Sequence, residues 1–367
     1  MKHELAFTLI GQLMEWSDAR FAQEFRELQL MITHKYDSYQ GFQPATRFHV
    51  ALLNWLSQFK TVDERETAYR FVKERLIFLS QREMHHLVSL LAPKMDRLAR
   101  KTVAAELAIP LHETWTQESA KKRLELRARR TLYVGLSDGA RTDVFRRYNE
   151  GTVSNEQVVA FSEISQAKWD DLKRELVKSL SRLGMSEEAP VFEVVCLLDD
   201  FSGSGSSLLR SQEGKWKGKV AKFYDENCVR IGSHLTSNCH IHIHHHLASA
   251  QAKEQIESDL SRFAATQPAF SYTTSFSYVL PATIVIGDAD RDKALVDLLK
   301  TWYDPGIQDE HTGPDIWFGY RRCGLPLVLE HNTPNNSVAL LWASSKEDAT
   351  VRMRPLFARR KRHSSHG

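Results

Sequence analysis

Four cysteines in 367 residues is few. Cys196, Cys228, Cys239 and Cys323 form no Cys-x-x-Cys pair. Their spacing therefore offers neither a disulfide framework nor a paired-cysteine zinc site, and the expected setting is a reducing cytosol. Long apolar runs are missing as well: nothing approaches the about 18–20 consecutive apolar residues that span a bilayer. The stretch MKHELAFTLIGQLMEW carries Glu4 and Glu15 and lacks a small-residue cleavage site, so it makes a poor signal peptide. A dominant charge sign is also lacking. Lys+Arg is 49 against Asp+Glu 46, a net charge of +3, which leaves only a local patch to hold a polyanion. Residues 351–367 hold six of those cations and no acid, and the rest of the chain carries 43 basic and 46 acidic side chains, a net −3. This basic segment is expected to be a disordered tail. There is no internal repeat.

What is present is ordinary for a globular protein with a real core: 42% apolar and 26% charged residues. At ~150 residues per domain the length allows two or three. Glycine and proline are scarce early on. Between Gly11 and residue 90 only Gly41 and Pro44 occur, both in HKYDSYQGFQPATRF, which reads as a loop. Leu9, Leu13, Phe21, Phe25 and Leu28 recur at helical spacing. So do Phe59, Ala68, Phe71, Val72, Leu76 and Leu79 within Trp55–Leu79. Ser80 with Glu83 fits a capping box. Residues 1–128 are therefore read as an all-helical domain, with a winged-helix-like arrangement as an alternative.

The pattern changes near Arg130. Leu132–Leu136 is a short apolar run closed by the turn SDGA, and a helix is expected from about Glu156 through Val159, Phe161, Trp169, Leu172 and Leu176. Val191–Leu198, Ile241–Leu247, Ala282–Gly287 and Leu325–His331 read as further strands. ASAQAKEQIESDLSRF and DRDKALVDLLKTWY read as helices between them. Strands alternating with helices predict an α/β fold with a mostly parallel sheet over residues 129–350.

Within it, VCLLDDFSGSGSSLLR (Val195–Arg210) joins a buried strand to two carboxylates and then to a loop of bare backbone and hydroxyls. In parallel sheets ligands bind beyond the carboxyl ends of strands. Glycine-rich amides cradle a phosphate there. Carboxylates beside that cradle suit ribose hydroxyls or a Mg²⁺ shared with pyrophosphate. Ser202, Ser204, Ser206 and Ser207 add hydroxyls.

This stretch resembles the phosphoribosyl-diphosphate signature of type I phosphoribosyltransferases: four hydrophobic residues, an acidic pair, and a small glycine- and hydroxyl-rich loop. Asp199 and Asp200 match the acidic pair. Ser204, Gly205, Ser206 and Ser207 match the 5′-phosphate loop, with Ser202 and Gly203 departing from the usual residue types just before it. With GLSDGARTDVFRR and GLPLVLEHNTPNNSVALLW, the chain is more specifically similar to a phosphoribosyltransferase-like family of prokaryotic conflict systems. Some of these sit in antiviral defence operons with retron reverse transcriptases. The resemblance implies a phosphoribosyltransferase-like effector acting at ribose C1 on phosphoribosyl diphosphate or a nucleotide, with Mg²⁺, and toxic by nucleotide depletion or by modifying a macromolecule. Its alternative is a catalytically inactive module that senses a nucleotide for a defence complex. The implied partners are nucleic acid, a reverse transcriptase or another operon protein, without a membrane.

The resemblance extends to further residues. Ser137, Asp138, Gly139 and Arg141 match the turn that holds pyrophosphate. Trp317 and Phe318 stand where an aromatic stacks on the base. Asn332 and Asn336, in the polar HNTPNNS between LPLVLE and SVALLW, are read as a hairpin connection that could also act as a lid. The histidines of Cys239–His246 alternate as on one strand face, which a polar face explains as well as a metal site; a histidine at the strand end, such as His246, could instead stand near the sugar phosphate. A basic run, Lys121, Lys122, Arg123, Arg127, Arg129 and Arg130, reads as a solvated helix face, with nucleic-acid binding as the alternative.

Overall fold

A computed structural model describes residues 3–40, 48–308, 316–346, 349 and 351–359. Gly41, Pro44 and residues 360–367 lie outside it. The strands, in chain order, are β1 (Ile77–Leu79), β2 (Thr131–Gly135), β3 (Val158–Val159), β4 (Phe192–Ser202), β5 (Arg210–Gln212), β6 (Lys215–Lys217), β7 (Leu235–Ser249), β8 (Ser271–Leu280) and β9 (Leu327–Leu329). The chain forms two compact units, residues 1–84 with 281–367, and residues 85–280. The expected boundary at 128/129 thus falls inside the second unit, and residues 281–350 belong to the first.

The second unit is an α/β fold on a five-stranded sheet in the order β3-β2-β4-β7-β8. Every neighbouring pair is parallel. Val194–Leu198 of β4 are 0–2% exposed, the continuous apolar strand that a sheet covered on both faces requires. One face packs Leu132, Val134, Val195, Leu197, Ile241 and Ile243 under Trp169, Leu172, Ile256 and Phe263. The other packs Tyr133, Val194, Cys196 and Leu198 under Val88, Leu91 and Met95. Helix Leu91–Glu106 therefore belongs to this unit. Helical periodicity reveals that a face is buried, but not what it is buried against.

The basic run also lies here. Arg123 and Arg130 each reach Glu193 at 2.9 Å, Arg127 reaches it at 3.3 Å, and Arg123 pairs with Glu106 at 2.9 Å. These arginines are spent on internal ion pairs rather than on a solvated face. Burial raises the Glu193 carboxyl, but the hydrogen bonds from Arg123 and Arg130 outweigh it and hold its pKa below the usual range.

Several expected elements differ. The helix expected from Glu156 begins at Gln166, after its N-cap Ser165; Val158–Val159 is instead the edge strand β3 and Phe161 is exposed. β8 was not foreseen, because SYTTSFSYVL alternates polar residues through a strand that the histidines of β7 require to be polar.

The first unit holds helices His3–Leu13, Asp18–His34, Phe48–Leu56 and Val62–Arg70. The helix expected over Trp55–Leu79 breaks at Thr61, whose side chain caps a new helix in a capping box with Glu64, and ends in β1. The capping box of Ser80 and Glu83 is present: the Ser80 amide donates to Glu83 Oε2 at 2.8 Å. β1 pairs in parallel with β9; among the described residues of 1–128 no hairpin supplies a wing. Residues 282–284 form a 3₁₀ turn rather than a strand, and Ala339–Trp342 form a helical turn, so no hairpin brackets HNTPNNS. Short apolar runs do not distinguish these outcomes. Part of the expected tail is core: Leu356 and Phe357 are 3% and 2% exposed and pack with Trp55, Phe78 and Leu340.

Candidate functional site

The direction of the sheet reverses between β2 and β4. The chain passes from β2 outward to β3, then returns to place β4 on the other side of β2. The carboxyl ends flanking such a reversal leave a crevice that no crossover covers, and ligands bind there. In this sheet the crevice lies between the turn after β2 and the loop after β4, the two segments that the sequence singles out.

The two segments are joined. Leu136 N donates to Leu198 O at 2.7 Å. Ser137 Oγ donates to Asp199 Oδ1 at 2.5 Å. On Asp138–Ala140 the backbone runs so close to Asp200 that a Cβ on Gly139 would stand 2.3 Å from Asp200 Oδ2. A side chain there would push the carboxylate away. Arg141 follows in the left-handed region at φ +53°, a conformation that costs a non-glycine residue energy and is kept only where its surroundings impose it. One such surrounding is His246 at the end of β7, whose Nε2 lies 3.1 Å from Ala140 O. A carbonyl only accepts, so His246 carries its proton on Nε2. Its Nδ1 is then a bare acceptor, fully buried and without a partner. Burial lowers the pKa of this imidazole.

Asp199, 3% exposed, has its other oxygen, Oδ2, 2.5 Å from Lys219 Nζ. In the sheet it is paired with His245. Burial pushes His245 down to about 4, although Asp199 pulls the other way.

Beyond Asp200 the loop turns through Gly205 at φ +78°. Ser202, Ser204 and Ser206 are buried and Ser207 is exposed. Ser204 Oγ and Ser206 Oγ lie 3.0 Å apart, and Ser249 Oγ donates to Gly203 O at 2.6 Å, tying the loop to the end of β7. Among the described residues, no protein acceptor takes the amides of Ser204, Gly205, Ser206 or Ser207. A run of four amides left open by the protein, around a glycine at positive φ, is the kind of backbone concavity that suits an anion. Ser202 Oγ is also buried and unpartnered.

The remaining candidates belong to the first unit. Phe318 is 2% exposed in its core, with the Arg322 guanidinium 4.7 Å above the ring. Trp317 stands edge-on to Tyr303 at 5.1 Å. Asn336 Nδ2 donates to Tyr320 O at 3.2 Å, and the backbone of Asn332 closes a turn onto Leu329 at 3.0 and 3.1 Å.

The alternating histidines form a chain of their own. His240 Nδ1 and Nε2 meet Ser271 and Thr273, His242 meets Thr273 and Ser275, and His244 meets Ser275 and Ser277, all at 2.7–3.0 Å. Ser277 Oγ donates its proton to Leu87 O at 2.6 Å. That end point orders the whole chain. Ser277 must accept from His244 Nε2–H, so neutral His244 accepts at Nδ1 from Ser275, and the same step repeats to Ser271. All three imidazoles are thereby Nε2–H tautomers. Burial keeps them neutral, pushing His240 and His242 down to about 4 and His244 well below its ordinary value. With both nitrogens of each ring engaged, these histidines are not a metal site. Among the described residues no group of three His, Cys, Asp or Glu side chains is placed to hold a metal ion. Both Asp199 oxygens have protein partners, Ser137 and Lys219.

Two contributors were not foreseen: Lys219 and Ser249. Lys215, Lys217 and Lys219 look alike in the sequence. Only the hairpin β5–β6 returns Lys219 to the acidic pair. Among the described residues no helix is long and apolar enough to cross a membrane, and all four cysteines are unpaired.

A parallel sheet whose reversal point carries an acidic pair, an open-amide loop and a facing turn defines a phosphoribosyltransferase-like protein. The model of the family PRTase-CE matches residues 52–359, and the chain belongs to that family. No curated protein and no solved structure matches the chain.

Proposed function

We propose that the crevice between β2 and β4 binds a ligand built on ribose 5-phosphate, either phosphoribosyl diphosphate or a nucleotide, and that the protein transfers or cleaves at ribose C1. The observation that carries this is the junction of the two segments, with Ser137 on Asp199 at 2.5 Å and Gly139 against Asp200, beside four open loop amides. In this reading the amides of 204–207 receive the 5′-phosphate. Asp199 and Asp200 hold the ribose hydroxyls. The turn Ser137–Arg141 faces the leaving group at C1, where the Arg141 guanidinium suits a diphosphate. With phosphoribosyl diphosphate the C1–O bond breaks and the diphosphate departs with the electron pair; with a nucleotide the C1–N bond breaks and the base departs with the pair and takes up a proton. An acceptor or water then bonds to C1 and gives up its proton. The oxocarbenium-like charge is stabilised by the fixed carboxylates, so catalysis rests on positioning and electrostatics, without a covalent nucleophile. Asp199 and Asp200 would stand beside a Mg²⁺ carried by the diphosphate, which would neutralise charge on the leaving group. Trp317, Phe318, Asn332 and Asn336 belong to the first unit, with Phe318 buried in its core, and no role in this crevice is proposed for them.

We place the protein in the cytosol, which the unpaired cysteines support, as an effector of an antiviral defence system. That context rests on the resemblance to conflict-system phosphoribosyltransferases. Phosphorus NMR of the protein incubated with phosphoribosyl diphosphate and Mg²⁺, and chromatography of the protein incubated with AMP, test the chemistry. Release of diphosphate and ribose 5-phosphate from the first, or of free adenine and ribose 5-phosphate from the second, lost in Asp200→Asn, is expected. Binding without any turnover would overturn the enzymatic reading in favour of a nucleotide-sensing module.

A further inference from the structure

Lys219 matches no motif, yet its backbone and its ammonium lie at opposite ends of the phosphate loop. Lys219 N donates to Ser207 O at 3.2 Å and Val220 N donates to Leu208 O at 3.1 Å, which fastens the start of helix Lys219–Asn227 to the end of the loop. From there the side chain runs back to the beginning of the loop, where Nζ lies 2.5 Å from Asp199 Oδ2. Residue 218 makes this return possible. It sits at φ +115°, where a Cβ would stand 2.5 Å from Leu208 O, so glycine is required. The side chain of Lys219 is 30% exposed, leaving its flexible stem room to swing.

We propose that Lys219 is a phosphate-responsive switch on the acidic pair. Without ligand it neutralises Asp199 and occupies the carboxylate oxygen that a ribose hydroxyl needs. A dianionic phosphate seated on the amides of 204–207 offers the ammonium a stronger partner than one carboxylate. The ammonium turns to the phosphate, and Asp199 is released to the ribose. Phosphate and ribose recognition are thereby coupled, and the crevice selects 5′-phosphorylated ligands over free nucleosides. This rests on the ribose 5-phosphate reading above and adds a specificity-determining residue to it.

The test is a double-mutant cycle read by calorimetry with inorganic phosphate and with ribose 5-phosphate. The proteins are wild type, Asp199→Asn, Lys219→Met and the double variant, each checked for native far-UV circular dichroism. Asp199→Asn frees the ammonium in advance, so it is expected to tighten inorganic phosphate by about tenfold, the worth of one charge-assisted hydrogen bond. In the Lys219→Met background that gain is expected to vanish. Lys219→Met alone is expected to weaken ribose 5-phosphate by about tenfold or more, with Lys219→Arg recovering most of the loss. An equal gain from Asp199→Asn in both backgrounds would show only the removal of a nearby negative charge and would overturn the switch. If Lys219→Met does not fold, Lys219→Gln takes its place in the same cycle, with the same expected and overturning results. Failure of wild type to bind ribose 5-phosphate at all would instead sink the ribose 5-phosphate reading itself.

Discussion

Ser275 is the middle rung of the histidine chain, and replacing it with alanine isolates what that chain contributes. Its hydroxyl donates to His244 Nδ1 at 2.7 Å and accepts from His242 Nε2 at 2.8 Å. Those rings are 0% and 5% exposed. Ser275→Ala removes one oxygen atom and leaves two buried ring nitrogens without partners. Each such loss costs about 1–3 kcal/mol. Ser275 itself is half-buried, so some water reaches the gap, and about 3 kcal/mol is expected for the pair. Ser271→Ala, at the exposed end, breaks a single bond to half-buried His240 and is expected to cost under about 1 kcal/mol. Ser275→Thr keeps the hydroxyl and is expected to recover most of the stability. Urea unfolding of the full chain reads the three variants. Long-range ¹⁵N–¹H spectra of the histidines are expected to show Nε2–H tautomers at His240, His242 and His244. Equal losses for Ser271→Ala and Ser275→Ala, or an Nδ1–H tautomer at any of the three, would refute the ordered chain.

Further outcomes follow from the same geometry. Native His240, His242 and His245 titrate at about 4 instead of their ordinary 6.5, so between those values the unfolded chain binds more protons. Stability is therefore complete above pH 6.5 and falls toward pH 4, by up to roughly 3 kcal/mol per histidine; urea midpoints that stay level across this window would contradict neutral buried imidazoles. Gly139→Ala is expected to leave the melting temperature within a few degrees, because its Cβ meets the movable end of Asp200. It is also expected to weaken phosphoribosyl diphosphate binding by more than about tenfold, read by calorimetry, because the carboxylate must leave its place. Truncation after residue 350 removes Leu356 and Phe357 from the first unit's core. At about 1.5–3 kcal/mol per buried side chain it is expected to lower the midpoint markedly in differential scanning calorimetry; an unchanged midpoint would contradict their place in the core.

The parts of this protein that could be read from its sequence are those where one residue's type decides the matter locally. Val195–Leu198, an uncharged run ending at an acidic pair and a glycine-serine loop, reads as a buried strand with its ligand end marked. An acidic pair followed by glycine and serine marks its own end as a ligand loop. SDGA closes β2 as a turn, and Ser80 with Glu83 starts a helix. What could not be read depends on partners distant in the chain. Leu325–His331 has the composition of a central strand, but β9 pairs with β1, with Leu327 against Ile77 far earlier in the chain. The helices from Leu91 onward cover the sheet of the second unit, while residues 281–359 return to the first. The alternation of the histidines suits a metal as well as a polar face, and only β8, which sets hydroxyls against His240, His242 and His244, decides between them. Lys219 acquires its role from the hairpin that turns it back and from the space that Gly218 leaves.

Isothermal titration of the purified protein with phosphoribosyl diphosphate and Mg²⁺, beside the double variant Asp199→Asn/Asp200→Asn, tests the central claim most directly. Saturable one-site binding by wild type, lost in the folded double variant, is the predicted result. A folded wild-type protein that takes up no phosphoribosyl diphosphate and no nucleotide, or a double variant that binds as tightly as wild type, would contradict it.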